Sequence, residues 1–169
     1  DLICTRAAAW AVGVADPAEI DRYNIHRASL RAMARAVAQL APQPDLVLVD
    51  AFRIDGLLMA QHAVVGGDRR CAAIAAASIV AKTERDRMME MLDHEHPGYG
   101  FATHKGYGTP EHREALLRLG PTAVHRMSFP VIHELQGEYS ALFYVLKKQL
   151  EAARSRAALY ELEIAFRAQ

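Results

Sequence analysis

The chain of 169 residues is long enough for one domain with its own hydrophobic core. Its 20 basic residues balance 20 acidic ones, so no overall electrostatic field attracts polyanions, although a local basic strip would suffice to bind nucleic acid. Although 51% of the residues are apolar, the sequence has no membrane-length apolar run and no signal-peptide pattern, so we expect a cytoplasmic protein with no membrane partner. Cys4 and Cys71 form no spacing motif, so we expect free thiols.

The first predicted elements are a strand and a two-part helix. Small and apolar residues without a helical stripe predict a strand over 7–15. Asp16, Pro17 and Glu19 then form a capping-box start to a helical turn. A longer helix is predicted from about Ile25 to Leu40, because apolar residues recur there on one stripe before the proline-rich sequence PQP.

Two strands and a long helix follow. The sequence DLVLVD is a continuous apolar run ending in a carboxylate, which predicts a strand buried on both faces of an α/β sheet. The short run AVV before Gly66 predicts a second strand. A helix is predicted from about Cys71 to His94. Its predicted inner side comprises Ile74, Ala77, Ser78, Ala81, Met88 and Leu92.

The C-terminal part is predicted to be helical after a glycine-rich loop. The loop HPGYGFATHKGYGT leads into a short helix that begins at Pro110 and ends at Gly120. Apolar residues at helical spacing predict a further helix from about 135 to 169. The element order indicates an α/β protein with helices packed on a mixed sheet.

Two aspartates stand where an α/β fold places ligand sites. Asp50 ends one predicted strand, and Asp68 follows the next after Gly66 and Gly67. Carboxylate oxygens suit Mg²⁺ or Mn²⁺, although two aspartates alone make a poor metal site. The alternative for Asp50 is a cap or turn aspartate, and for Asp68 it is a helix N-cap.

The sequence THKGYG offers a second set of candidate contacts. Tyr107 could stack on a sugar or base while Lys105 meets a phosphate, but loops of this composition are most often plain turns. The histidines at 104, 112 and 125 lack zinc-ligand spacing, so no metal role is assigned to them.

In combination, these segments resemble type 2 ribonuclease H, also called ribonuclease HII. The resemblance covers about residues 7–129, and the runs AAASIVAK and HKGYGT are its most specific parts. It implies a ribonuclease H-like α/β fold, a Mg²⁺ or Mn²⁺ cofactor, and cleavage of RNA in RNA–DNA hybrids or at ribonucleotides in duplex DNA. The products would carry a 5′-phosphate, made by two-metal-ion hydrolysis.

The resemblance also implies roles for individual residues. Asp50 would be the family's third acidic metal ligand and Asp68 its fourth. Tyr107 would stack on the deoxyribose that follows a ribonucleotide. Three further residues in matching segments would contact substrate: Lys105, Ser78 and Lys82.

The chain also departs from the family pattern. Ala51 stands where the family commonly has glycine, and Gly66 where it commonly has lysine. The family's adjacent Asp-Glu pair and its Gly-Arg-Gly motif occur nowhere in these 169 residues. We therefore expect an incomplete catalytic domain over 1–132, without the N-terminal strands, and a helical extension over 133–169. We expect little or no activity from this chain alone, a monomer when complete, and, as the alternative, an inactive remnant that binds nucleic acid.

Overall fold

The computed structural model describes residues 2–136, and the predicted helix beyond Gln136 lies outside them. The chain divides into two compact units, Asp1–Met127 and Ser128–Gln169. The predicted domain boundary after residue 132 stays a prediction. The described elements are α1 (Leu2–Arg6), α2 (Pro17–Ala38), β1 (Leu46–Asp50), β2 (Ala60–Val64), α3 (Gly67–Arg70), α4 (Ala72–Glu95), α5 (Phe101–His104), α6 (Pro110–Leu119) and α7 (Pro130–Gln136).

Helix α2 consists of two helical parts, as the sequence predicts. Asp16 caps the first part, because its Oδ1 accepts a hydrogen bond of 2.7 Å from the backbone N–H of Glu19. Asn24 interrupts the helix with a left-handed φ of 68°. Its side-chain oxygen accepts from Arg27 N at 3.1 Å and so caps the second part. Asparagine tolerates this conformation better than most residues, which explains the break at this position.

The capping box is only half formed, because the Glu19 side chain turns away from the helix start. Its carboxylate accepts from Arg31 at 2.8 Å and from Arg35 at 2.6 Å. The hydrogen bond from Arg35, followed by that from Arg31, lowers the pKa of Glu19 to about 2. Arg35 also donates to the carbonyl of Val14 at 2.6 Å, which fastens the preceding segment to α2.

The predicted strand over 7–15 is wrong, since these residues form no regular element. The segment lies against α2. A β-carbon placed on Gly13 would be 1.8 Å from the carbonyl oxygen of Ala32. A strand requires a neighbouring strand for its backbone groups, and the Val14 carbonyl bonds Arg35 instead. Small residues therefore serve close packing on a helix here rather than pairing in a sheet.

Both predicted strands exist and pair in parallel, from Leu46 opposite Ala60 to Asp50 opposite Val64. Strand β2 begins three residues before the predicted run AVV and ends at Val64. The expectation that β1 is buried on both faces is wrong, because Val49 is buried while Leu46 and Leu48 are exposed. Among the described residues the sheet has only these two strands, so each has a single neighbour and much of the apolar surface stays open.

Helix α4 begins after Cys71 as predicted, but its predicted inner side is wrong. Ile74 is buried, whereas Ala77, Ser78 and Ala81 are exposed. The helix turns a different side toward the glycine-rich loop, and a β-carbon on Gly106 would lie 3.3 Å from the sulfur of Met89. The alanines therefore leave an open surface. No helix within residues 2–136 is both long enough and apolar enough to cross a membrane.

Helix α6 is confirmed at both ends. The Thr109 hydroxyl accepts from His112 N at 3.3 Å, Pro110 occupies the first turn, and Gly120 ends the helix. The loop before it contains the short helix α5, which the sequence analysis treats as loop. Helix α5 ends at Lys105 with a left-handed φ of 50°. This turn brings the segment from Gly106 to Thr109 out to the surface.

Candidate functional site

Asp50 is held at the end of β1 by the start of α3. Its Oδ1 accepts a hydrogen bond of 2.8 Å from the backbone N–H of Gly67. A β-carbon on Gly67 would lie 2.5 Å from the Ile74 Cδ1 atom and 3.3 Å from Asp50 Oδ1. A larger residue would force the Ile74 side chain to shift, so glycine favours this close approach, in which the Asp50 carboxylate is held through Oδ1.

Asp68 follows Gly67 directly in the chain. Because Gly67 N donates to Asp50, the Asp50 carboxylate lies next to the backbone that precedes Asp68. The Asp68 side chain is exposed, and its Oδ1 lies 4.0 Å from Arg69 Nε. The alternative of an α4 N-cap does not describe Asp68, because Cys71 holds the N-cap position. The alternative for Asp50, a capping carboxylate, is compatible with its Gly67 contact. A shared metal role for the two aspartates stays a prediction.

The donor set near these aspartates is incomplete for a metal centre. Asp50 and Asp68 supply carboxylate oxygens, which are the donors Mg²⁺ and Mn²⁺ prefer. Within residues 2–136, however, no three His, Cys, Asp or Glu side chains come together in a group that could hold a metal ion. The two carboxylates therefore fit part of a metal site and would need further ligands.

Ala51, directly after Asp50, adopts a left-handed backbone conformation with φ of 59°. A β-carbon is unfavourable in this conformation, which glycine adopts freely. We expect Ala51→Gly to raise the free energy of unfolding in urea by about 1 kcal/mol. The control Ala81→Gly, at an exposed position inside α4, should lower it by about the same amount. Destabilisation by both substitutions would contradict the left-handed conformation of Ala51.

Tyr107 lies on the surface beside α4. Tyr107 is 63% exposed, and the Arg85 guanidinium carbon lies 5.1 Å from the centroid of its ring. The hydrogen bond to Asp86 is the main cause that raises the pKa of Lys82, and the nearby Tyr107 adds a smaller contribution. One surface therefore combines an accessible aromatic ring with two basic side chains.

The two lysines predicted to contact substrate are bound to acidic residues of α4. Lys82 Nζ donates to Asp86 Oδ2 at 2.7 Å, and Lys105 Nζ donates to Glu90 at 2.7 Å and to the Asp86 carbonyl at 3.3 Å. The hydrogen bond from Lys82 is the main cause that lowers the pKa of Asp86. Ser78 is exposed one helical turn before Lys82. The structure therefore places Ser78, Lys82, Lys105 and Tyr107 on or beside α4.

Arg85 and Asp86 also belong to this surface, although the sequence pattern does not single them out. The run KTERDR has the composition of a solvated helix face, so nothing local distinguishes Arg85. The spacing of Lys82 and Asp86 gives an i,i+4 ion pair and is the available signal for Asp86. The approach of Arg85 to Tyr107 depends on how the loop folds back and has no signature in the sequence.

The fold matches a solved nuclease. The crystal structure of the ribonuclease H2 from Pyrococcus horikoshii OT3 aligns over 73% of this chain and 66% of that chain, with a TM-score of 0.59 and 20% sequence identity. At 20% sequence identity, this match supports the fold alone. The chain is an α/β protein with a ribonuclease H-like fold, in which the described sheet is a small parallel pair.

The sequence comparisons identify the family. A family model described as Ribonuclease HII matches residues 3–132. The chain is 55% identical to a Ribonuclease HII of Mycobacterium bovis over 128 residues, which is 76% of this chain and 48% of that protein. It is 52% identical to a Ribonuclease HII of Nocardia farcinica over 136 residues, 80% of this chain and 54% of that protein. The chain belongs to the ribonuclease HII family and spans about half the length of these curated relatives.

Proposed function

We propose that this chain forms part of the catalytic domain of a ribonuclease H-type endonuclease. The substrate class is RNA in RNA–DNA hybrids and single ribonucleotides in duplex DNA. The observation that carries the proposal is the family match over residues 3–132, which includes the candidate aspartates and the loop of Tyr107. The cytoplasm is the proposed location, and the complete protein is proposed to be a monomer.

Asp50 and Asp68 are the proposed metal-holding residues of this segment. Mg²⁺ or Mn²⁺, when bound, would supply an activated water and stabilise the leaving 3′ oxygen, giving 5′-phosphate products. The hydrogen bond from Gly67 N keeps Asp50 Oδ1 in place, so this carboxylate is oriented before a ligand arrives. Further acidic ligands would come from an Asp-Glu segment that these 169 residues do not contain.

Tyr107 and its neighbours are the proposed substrate contacts. An exposed ring can stack on the sugar next to a ribonucleotide, and Arg85 beside it can meet a backbone phosphate. Lys82 and Lys105 would exchange their carboxylate partners for phosphates when nucleic acid binds. Ser78 would donate its hydroxyl from the same helix. These contacts would bind a duplex although the chain has no net positive charge.

Cleavage of a duplex that carries one ribonucleotide tests the proposal. The chain alone is expected to cut little or not at all in Mg²⁺ or Mn²⁺, because two carboxylates cannot fix two ions. Fusion to an N-terminal segment that carries the family's Asp-Glu pair should produce cutting on the 5′ side of the ribonucleotide. The measurement is product length on a denaturing gel, with an all-DNA duplex as control.

The outcomes separate the two functional classes. Cutting only by the fused protein supports an endonuclease segment whose remaining ligands lie elsewhere. Binding of the duplex without cutting, even after fusion, would favour the alternative of an inactive nucleic-acid-binding remnant. Robust metal-dependent cutting by the 169-residue chain alone would contradict the account of an incomplete ligand set.

A further inference from the structure

Three histidines form a buried cluster under the loop that carries Tyr107. His104, His112 and His125 are each exposed by no more than 8%. The rings of His104 and His112 are stacked, with centroids 4.2 Å apart and an interplanar angle of 12°. The Nε2 atoms of His112 and His125 lie 3.4 Å apart. Buried imidazoles in direct contact can coexist only when their protons are arranged compatibly.

The hydrogen-bond partners assign one proton to each ring. His104 Nδ1 accepts from Gly106 N at 3.1 Å, so its proton is on Nε2, which donates to the Tyr99 carbonyl at 2.7 Å. His112 Nδ1 faces the Tyr107 carbonyl at 2.9 Å and must carry the proton, leaving Nε2 as an acceptor.

The third ring completes the same pattern. His125 Nδ1 accepts from Thr122 N at 3.0 Å, so its proton is on Nε2 and points at the free Nε2 of His112. One set of neutral tautomers therefore satisfies the hydrogen bonds of all three rings. A second proton on any ring would turn its accepting nitrogen into a donor that faces another N–H donor.

The surroundings disfavour a positive charge on His112 and His125. Phe101 packs edge-on against His104 and His112, and Tyr99 lies against His125. Burial lowers the pKa of His112, and burial together with His112 lowers that of His125 from 6.5 to about 4. The stability contributed by neutral His125 is therefore complete above pH 6.5 and is lost as the pH falls from 6.5 through 4.

Two further titratable side chains interact with the rings. His96 opposes a charge on His125. Glu111 interacts with His104, although its own backbone hydrogen bond is the main reason that the pKa of Glu111 is lowered. Neither of them contributes a hydrogen bond to the tautomer chain just described.

We propose that His104 and His112 are positioning residues for Tyr107. His104 accepts from the N–H of Gly106, the residue before Tyr107, and His112 donates to the carbonyl of Tyr107 itself. The backbone is therefore hydrogen-bonded before and after the Tyr107 side chain. The His104 carbonyl also accepts from Tyr107 N at 2.9 Å. With its main chain fixed at these points, Tyr107 carries its ring on the surface next to Arg85. The consequence for substrate selection rests on the proposed function.

The protonation pattern can be measured on the chain itself. Long-range ¹H–¹⁵N correlation spectra at pH 7.5 should show the Nε2–H tautomer for His104 and His125 and the Nδ1–H tautomer for His112. A doubly protonated ring, or an Nε2–H tautomer at His112, would overturn the proposal. The measurement requires no enzymatic activity, so its result stands apart from that of the cleavage experiment.

Substitutions at His112 test the hold on the loop. His112→Phe keeps a ring for stacking but removes the donor, so amide exchange of Gly106 and Tyr107 should accelerate roughly tenfold relative to amides of α2. His112→Asn places an amide donor near the Nδ1 position and should accelerate it less. The control His96→Asn alters a ring that packs on Tyr99 and Phe101 and should leave the ratio unchanged.

The outcomes distinguish positioning from general stabilisation. Because exchange is expressed relative to α2, a uniform loss of stability would leave the ratio constant and would contradict the proposal. Equal effects of His112→Phe and His112→Asn would refute the donor role of Nδ1. In the fused protein, His112→Phe should raise KM for the ribonucleotide duplex more than it lowers kcat. A fused protein without activity would count against the proposed function and leave the exchange result intact.

Discussion

Gly13→Ala is expected to destabilise the fold more than any other glycine-to-alanine change that the structure describes. The added β-carbon would lie 1.8 Å from the carbonyl oxygen of Ala32 and 2.9 Å from the backbone nitrogen of Ala36. Both atoms belong to the main chain of α2, so no side-chain rotation relieves the clash. The segment over 7–15 must move off the helix, at a cost of about 3 kcal/mol or more in the free energy of unfolding.

The control for this substitution is Gly108→Ala. Gly108 has no atom within 4 Å of its would-be β-carbon and no positive φ, so alanine there should change stability by less than about 1 kcal/mol. Urea unfolding followed by circular dichroism measures both variants. A midpoint for Gly13→Ala equal to that of Gly108→Ala would show that the segment does not pack on α2.

The sequence correctly predicts features that depend only on residues close together in the chain. Asp16 and Pro17 start a helix because a side-chain oxygen and a fixed φ act within one turn. Gly120 ends α6 for a similarly local reason.

Features that depend on distant partners could not be predicted. The run over 7–15 has a composition compatible with a strand, but it lies against α2. The Val14 carbonyl accepts a hydrogen bond from Arg35, which is 21 positions away in the chain. Helix α4 packs with Ile74 against Gly67 and with Met89 against Gly106, whereas Ala77 and Ala81 are exposed. Periodicity finds a helix but does not reveal which neighbour will cover each side.

The candidate site shows the same division. Aspartates at strand ends are visible in the sequence, whereas the hydrogen bond from Gly67 N to Asp50 joins residues 17 positions apart. The spacing of the histidines at 104, 112 and 125 fits no zinc motif, so the sequence gives no sign that they interact. Their stacking and shared tautomers arise only when α5, α6 and the following loop come together.

The substitution Asp50→Asn is expected to have the largest effect on activity. Asparagine keeps the shape of the side chain, and its Oδ1 can still accept the hydrogen bond from Gly67 N. The fold should therefore persist, with an unfolding midpoint close to that of the parent. The negative charge that a divalent cation requires is lost, because a neutral amide oxygen is a much weaker ligand for Mg²⁺.

In the fused protein, Asp50→Asn should therefore lower cleavage of the ribonucleotide duplex by at least about a hundredfold in Mg²⁺. The matched control is Asp45→Asn, which removes the same charge at the opposite end of the same strand, from an exposed residue directly before β1. This control should keep nearly full activity, because both substitutions change the net charge equally and only Asp50 stands beside Gly67 and Asp68. Initial rates over a range of Mg²⁺ concentrations measure the difference. If the two variants lose activity to the same extent, the effect is one of overall charge, and Asp50 does not hold the metal.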